Sequence, residues 1–405
     1  MAVFLAGVGC GASDAERPFR DAGAGGTAVA AGESGGSGGN TAPADGGRID
    51  AGGQTPASGS TNDDGATPAG TVGIPATIDG SADSGSDGAP TSCGVPTCAP
   101  TAPPPIDKRA FRNLGSNLTI VGGARHRGHD LFFVEGEPQW LIGEFAYGPF
   151  DSALTGEDVD IFVLEGCAGS WRKLGTAVTS TRGEHDEIEG VPDGGGRVYF
   201  SLTATSRLGL GRHKIHMVVA GDLSATDLFI EVVARTAAIA VTDVDGTLTT
   251  AENAEFGALV TGQLPAAQPD AAATLTLLAA RGYRPYYLTA RPEWLTDRTR
   301  AFLAGAGFPE GIIETTTGET GALGADATTF KTAALARLAQ KALVPRIAFG
   351  NTATDAAAYA NAAISPPSQR FFLGYDDTAG GGRRFDKYVD IIGDLKGLPA
   401  NCPSP

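Results

Sequence analysis

The spacing of apolar residues changes near residue 235, and that change divides the chain. Before it, apolar side chains recur every second residue. Val159, Ile161 and Val163 alternate with Asp158, Asp160 and Phe162, and similar runs span 197–203, 213–219 and 228–233. Period two turns one side of a strand inward. Glycine-rich breaks such as 193–197 and Gly221-Asp222 separate the runs at the spacing of a sandwich. Residues 106–235 thus predict an antiparallel β-sandwich of about seven strands. After Ala237, short unbroken apolar runs alternate with helical patterns, as in a parallel sheet covered on both faces. Residues 236–398 predict a Rossmann-like α/β domain with helices on both faces.

The first hundred residues are different in kind. They hold 23 glycines and 8 prolines, with Phe4 and Phe19 as the only aromatics. Such a segment buries too little apolar surface to offset its backbone entropy, so 11–105 reads as a disordered, acidic tether. Ahead of it, residues 1–10, ending Val8-Gly9-Cys10, resemble a partial export signal running into a lipid-modified cysteine, which predicts an exported, lipid-anchored protein at the cell envelope. If Cys10 carries lipid, four cysteines remain. Cys93 and Cys98 are close enough to bridge, leaving Cys167 to pair with Cys402. A net charge of −16 and the absence of a long basic run exclude nucleic acid as a partner.

The chemistry is concentrated in the last third. The buried run Ala238-Ile239-Ala240-Val241 ends in Thr242-Asp243-Val244-Asp245-Gly246-Thr247. In a doubly wound sheet, ligands sit beyond the carboxyl ends of the strands, where this places two carboxylates. Asp243 suits nucleophilic attack on phosphorus. Asp245 suits protonation of the leaving oxygen and activation of water, and Gly246 lets the chain bend close to a phosphate. Repulsion between the acids calls for a cation, and magnesium prefers oxygen ligands: the Asp243 carboxylate, the Asp245 carbonyl and a further acid. The next strand, 284–288, delivers Thr289 and Arg291, the first as a hydroxyl donor to a phosphoryl oxygen. Lys331, near the start of a helix at 330–338, can neutralise Asp243 and the transferring group. A last strand, 346–349, leads to Asn351, an orienting amide, and to Asp355, the third magnesium ligand.

This order of strands and side chains resembles that of haloacid-dehalogenase-superfamily phosphotransferases. The resemblance then narrows. Residues 287–292 (Tyr-Leu-Thr-Ala-Arg-Pro), 307–313, and the Gly350-Asn351, Asp355 and Tyr359 block are similar to the C-terminal (LNS/PITP) domain shared by lipins and the membrane-associated phosphatidylinositol transfer proteins. Residues 145–149, 171–175 and 217–222 resemble the segment preceding that domain in the transfer proteins, so the likeness covers about 140–395.

The two sets of relatives imply different activities. Lipins imply a magnesium-dependent phosphatidate phosphatase, with their motif matched by Asp243, Asp245, Gly246 and Thr247. The transfer proteins imply a phosphatidic-acid-binding module without catalysis. Retention of both aspartates, Lys331 and Asp355 favours a phosphatase acting on phosphatidic acid or a related phosphomonoester. Its expected catalytic residues are Asp243, Asp245, Thr289 and Lys331; its phosphate contacts are Gly246, Thr247, Arg291 and Asn351; and its Mg2+ ligands are Asp243, Asp245 and Asp355. The alternatives are the non-catalytic lipid-binding module and a surface adhesion protein working through the sandwich.

Overall fold

The structure, a computed structural model, describes residues 93–94, 96–251 and 263–402. Cys10, residues 11–92 of the expected tether and part of the 248–270 connection lie outside them.

The first module is built from β1 (Arg127–His129), β2 (Leu131–Val134), β3 (Trp140–Glu144), the short pair β4 (Ala146–Tyr147) and β5 (Ser152–Ala153), β6 (Asp158–Leu164), β7 (Arg172–Val178), β8 (Arg197–Ser201), β9 (Gly211–Val219) and β10 (Ala225–Val233). One sheet runs β1-β3-β8 and the facing sheet β2-β10-β9-β6-β7. All pairs but one are antiparallel. Contrary to the expectation of a wholly antiparallel sandwich, β2 lies parallel to β10, with Leu131 opposite Ile230. The cause is local: the chain passes from β1 in one sheet to β2 in the other through the single residue Asp130. That carboxylate is fully buried and accepts the Phe229 N–H at 2.8 Å.

The second module is a six-stranded sheet of β11 (Ala238–Thr242), β12 (Tyr283–Pro292), β13 (Ile312–Thr316), β14 (Ile347–Gly350), β15 (Arg370–Leu373) and β16 (Arg383–Phe385). Every neighbouring pair is parallel, in the order β13-β12-β11-β14-β15-β16. This is the doubly wound order, whose ligand crevice opens where the winding reverses, between β11 and β14. Helices α1 (Ala271–Ala280), α2 (Thr296–Gly305) and α5 (Tyr388–Lys396) cover one face, where Leu275, Phe302 and Tyr388 cluster with Ala240, Tyr287 and Phe349. Helices α3 (Gly324–Gln340) and α4 (Ala353–Asn361) cover the other, where Leu335 and Tyr359 meet Ile239, Val241 and Leu288. Among the described residues no helix is long and apolar enough to cross a membrane.

The two modules share that second core. Along β2 and β10, Leu131, Phe133, Leu228, Ile230 and Val232 fill the sandwich. The intervening Phe132, Val134, Phe229 and the terminal Val233 join the cluster of α3 and the parallel sheet. Both faces of these strands are therefore buried, which explains why Leu131-Phe-Phe-Val134 is an apolar run rather than an alternation.

The cysteines pair differently from the expectation. Cys93 is joined to Cys402 and Cys98 to Cys167, with Cα–Cα distances of 5.1 and 4.7 Å. The Cys93 N–H bonds the Ala280 carbonyl at 2.7 Å, which fixes it beside the C-terminal end of α1 and leaves Cys98 for the sandwich. The end of the presumed tether is thus packed: the Cys98 N–H bonds Glu310, and the Trp171 indole N–H bonds the Ala102 carbonyl.

Candidate functional site

The acid pair stands where the sheet order reverses. Asp243 follows directly on β11, and its N–H bonds the Phe349 carbonyl of β14 at 2.9 Å. Gly246 turns the chain with φ of +73°, a region where a side chain is strained. The turn brings back Thr247, whose buried hydroxyl lies 3.1 Å from Asp243 Oδ2 and 2.8 Å from Asn351 Oδ1.

Helix α3 begins well before the expected start, so Lys331 sits two turns inside it. Its buried positions Ala327, Lys331, Ala334, Leu335 and Leu338 form one stripe at helical spacing. The same periodicity that packs the leucines against the sheet therefore carries the lysine inward. Lys331 Nζ donates to Asp243 Oδ1 and Asp355 Oδ1, each at 2.6 Å. Burial pushes the Asp243 carboxyl up to about 7, reinforced by Asp355 and Asp245 and opposed by the Lys331 charge. Burial also opposes the ammonium, but the two carboxylates outweigh it and hold Lys331 charged.

Asp355 is the third residue of α4. It closes a capping box with Thr352, accepting the Asn351 and Thr352 N–H groups and the Thr352 hydroxyl at Oδ2 while Oδ1 takes Lys331. Gly350 is required there. A Cβ at that position would lie 2.5 Å from the Asp355 Cβ.

Arg291, expected on substrate phosphate, instead grips Asp245 at both oxygens. Nε meets Oδ2 at 2.9 Å, Nη2 meets Oδ1 at 2.7 Å, and Nη1 donates to Thr299. Thr289 donates to the same carboxylate at 3.3 Å. A bulge presents both residues. Leu288 pairs with Glu314 and the ladder resumes only at Pro292 with Thr316, four steps on β12 against two on β13.

Asp243, Asp245, Arg291 and Lys331 line one cavity of about 240 Å³. Gly246, Thr247, Thr289, Asn351 and Asp355 do not line it. Part of the wall was not read from the sequence: Thr352 and Thr354 on the polar side, Pro292, Leu295, Ala322 and Leu323 on the apolar side. Their one visible signal is the run of small and apolar residues at 321–324 ahead of α3. The cluster sets three carboxyl groups, those of Asp243, Asp245 and Asp355, against the two cations Lys331 and Arg291. Among the described residues no group of three or more His, Cys, Asp or Glu side chains is arranged to hold a metal ion.

Comparison with known proteins agrees with this layout. Residues 124–232 match the model of the PITM 1-3 β-sandwich domain, and residues 240–374 that of the PITM 1-3 LNS2 domain. Human membrane-associated phosphatidylinositol transfer protein 1 is 31% identical over 266 residues, covering 65% of this chain and 19% of the relative. Its human paralogue 3 is 32% identical over 192 residues, covering 47% and 18%. Protein retinal degeneration B of Drosophila melanogaster is 30% identical over 253 residues, covering 62% and 18%. The chain therefore spans less than a fifth of the length of these relatives. They also overturn the exported, lipid-anchored localisation, for they are named as membrane-associated transfer proteins of animals and not as proteins of a cell envelope. In this order, then, the chain matches the β-sandwich and LNS2 domain models of PITM 1-3, and its likeness to the membrane-associated phosphatidylinositol transfer proteins supports that family.

Proposed function

We propose that the α/β domain is a haloacid-dehalogenase-superfamily phosphatase acting on phosphatidic acid or a related phosphomonoester, with a phospholipid as its partner. The observation that carries this reading is the convergence of Asp243, Asp245, Arg291 and Lys331 on one cavity at the switch point of the sheet. In the first step an Asp243 carboxylate oxygen attacks phosphorus, the ester P–O bond breaks, and Asp245 gives its proton to the departing oxygen. In the second, water attacks the aspartyl-phosphate, Asp245 takes the water's proton, and phosphate leaves with Asp243 restored. Lys331 neutralises the nucleophile and the transferring group, while Arg291 and Thr289 hold Asp245 in position.

The donor set suits magnesium. The Thr247 hydroxyl bridges two oxygens, Asp243 Oδ2 and Asn351 Oδ1, in a cluster of three carboxyl groups against two cations. The Asp243 carboxylate, the Asp245 carbonyl and Asn351 would hold the ion. Asp355, its oxygens engaged by Lys331 and the α4 cap, supports it from behind. When bound, magnesium supplies charge neutralisation for the phosphoryl oxygens.

Phosphate release from short-chain phosphatidic acid and from a soluble phosphomonoester, with and without magnesium, tests this. Wild type should release phosphate only with the metal, and Asp243→Asn should lower release more than about a hundredfold. Equal release by both proteins overturns it. A second reading, a non-catalytic phosphatidic-acid-binding module, draws on the engagement of both oxygens of Asp243 and of Asp245. Flotation with phosphatidic-acid vesicles in the absence of any release selects that reading.

A further inference from the structure

The segment that presents Thr289 and Arg291 is held at its far end by the other module. Glu293, the residue after the bulged stretch ends at Pro292, is buried and turned away from the cavity into the three-stranded sheet of the sandwich. Arg197 on β8 takes both of its oxygens, with Nη1 at 3.2 Å from Oε2 and Nη2 on Oε1. Arg127 on β1 approaches Oε1 at 3.4 Å. Both arginines are buried in turn. Arg127 grips Asp151 with contacts of 2.8 and 2.6 Å, and Glu144 on β3 pairs with Arg127 at 2.7 Å and also with Arg197.

We infer that the β-sandwich is a working part of the site: Arg127 and Arg197 clamp Glu293, fix the register of the bulge, and so hold Arg291 and Thr289 against Asp245. Glu293 is a positioning residue in this arrangement, with no contact to the reacting atoms. The physical need is plain. A bulge with two residues more than its partner strand has lost the ladder that would define its geometry, and Arg291 must reach both oxygens of one carboxylate. Regular pairing anchors the near end at Leu288. At the far end the sheet offers one pair, Pro292 with Thr316, and proline brings no N–H. A buried, bidentate guanidinium contact on the very next residue supplies the directional restraint that the ladder lacks.

This inference rests on the phosphatase reading for its kinetic consequence, while its structural content can be measured without catalysis. Glu293→Gln is the gentle variant. It keeps the side-chain shape and leaves two arginines facing Glu144 and Asp151, a balanced set. Arg197→Gln is the harsher one, since it leaves Glu144 and Glu293 together with Arg127 alone. Hydrogen exchange on the full chain should show amides 289–294 exchanging at least tenfold faster in Glu293→Gln, with the β11 and β14 amides unchanged. In phosphate release from short-chain phosphatidic acid, kcat should fall roughly ten- to a hundredfold with KM within about threefold. Glu293→Gln should add little further loss in an Arg291→Ala background, because it acts through that arginine. Arg197→Lys, which keeps a charge on Glu293, should recover part of what Arg197→Gln loses. Unchanged exchange at 289–294 in Glu293→Gln overturns the clamp, whatever the enzyme does. Faster exchange with full wild-type kcat overturns the positioning role. If wild type releases no phosphate, the phosphatase reading fails by itself and hydrogen exchange still decides the clamp.

Discussion

Replacing Lys331 by methionine removes a buried charge from between two buried carboxyl groups. The ammonium lies 2.6 Å from Asp243 and from Asp355, and all three residues are at most 4% exposed. The methionine keeps most of the apolar stem, so the loss is nearly pure electrostatics and hydrogen bonding. Each contact is worth about 6 kcal/mol at an effective dielectric of 20, but desolvation has already offset much of that. Removing one partner of a buried pair typically costs about 3–5 kcal/mol, because the remaining charge is stranded. Here two carboxylates would be stranded, and one relieves the strain by taking up a proton. The expected loss is thus about 3–5 kcal/mol, or roughly 5–8 °C in Tm for a cooperative unit of about 300 residues. Asp243→Asn should behave oppositely, since it leaves Lys331 and Asp355 matched one to one, and its stability should stay within about 1 kcal/mol of wild type. Adding Asp243→Asn to Lys331→Met should then recover about 2 kcal/mol, a coupling well above the usual error of additivity. Guanidinium denaturation of the four proteins at neutral pH measures it. A Lys331→Met protein as stable as wild type, or penalties that simply add, would refute the buried triad.

Glu144, buried beside Glu293 and facing Arg197 and Arg127, has its carboxyl pushed up to about 8, first by burial and then by its acidic neighbour. Between about 4.5 and 8 the folded chain therefore keeps a proton that the unfolded chain has released, and stability should fall as pH rises through that window. Denaturation midpoints from pH 5.5 to 8.5 should show the decline in wild type and a flatter profile in Glu144→Gln. The cysteine pairing predicts that thiol titration of the denatured, unreduced chain finds no more than one free thiol of the five. Cys402→Ser opens a loop with a sequence separation of 309 and should lower stability by roughly 5 kcal/mol on chain entropy; an unchanged denaturation midpoint would count against the bond.

The sequence carried the sites that local chemistry dictates. An acid pair after an unbroken apolar strand marks the carboxyl edge of the sheet, and the lysine, the Gly350-Asn351 turn and Asp355 follow on elements whose periodicity is plain. The place of Arg291 at this edge of the sheet was legible but its partner was not, because only the bulge on β12 aims it at Asp245 rather than outward. Asp355 was read as a metal ligand, and its identity as the third residue of a capping box depended on where α4 begins. The cysteine connectivity failed for a general reason: spacing limits which cysteines can pair and does not choose among them. Least legible was Glu293. On its own strand it is one acid among many, and its meaning comes from Arg127 and Arg197, which lie far away in sequence.

The same long-range dependence argues that the two domains, although separate as families of sequence, are one body in this chain. Phe132, Val134, Phe229 and Val233 belong by sequence to the sandwich and by packing to the core under α3. At about 1.5–3 kcal/mol for each buried side chain, cutting the chain between residues 235 and 236 exposes about 6–12 kcal/mol of apolar contact. It also strands buried charges on both sides of the cut: Asp130, whose carboxylate takes Arg300 at 3.0 Å, and Glu293 without its arginines. The whole stability of an ordinary domain is about 5–15 kcal/mol, so neither half has a margin to lose that much. Residues 106–235 and 236–402 expressed apart should show low denaturation midpoints and exposed apolar surface by dye binding, and mixing them should restore a 1:1 complex. Two halves that each unfold cooperatively at the temperature of the intact chain would mean that the shared core contributes little, and the clamp on Glu293 would then have to hold without it.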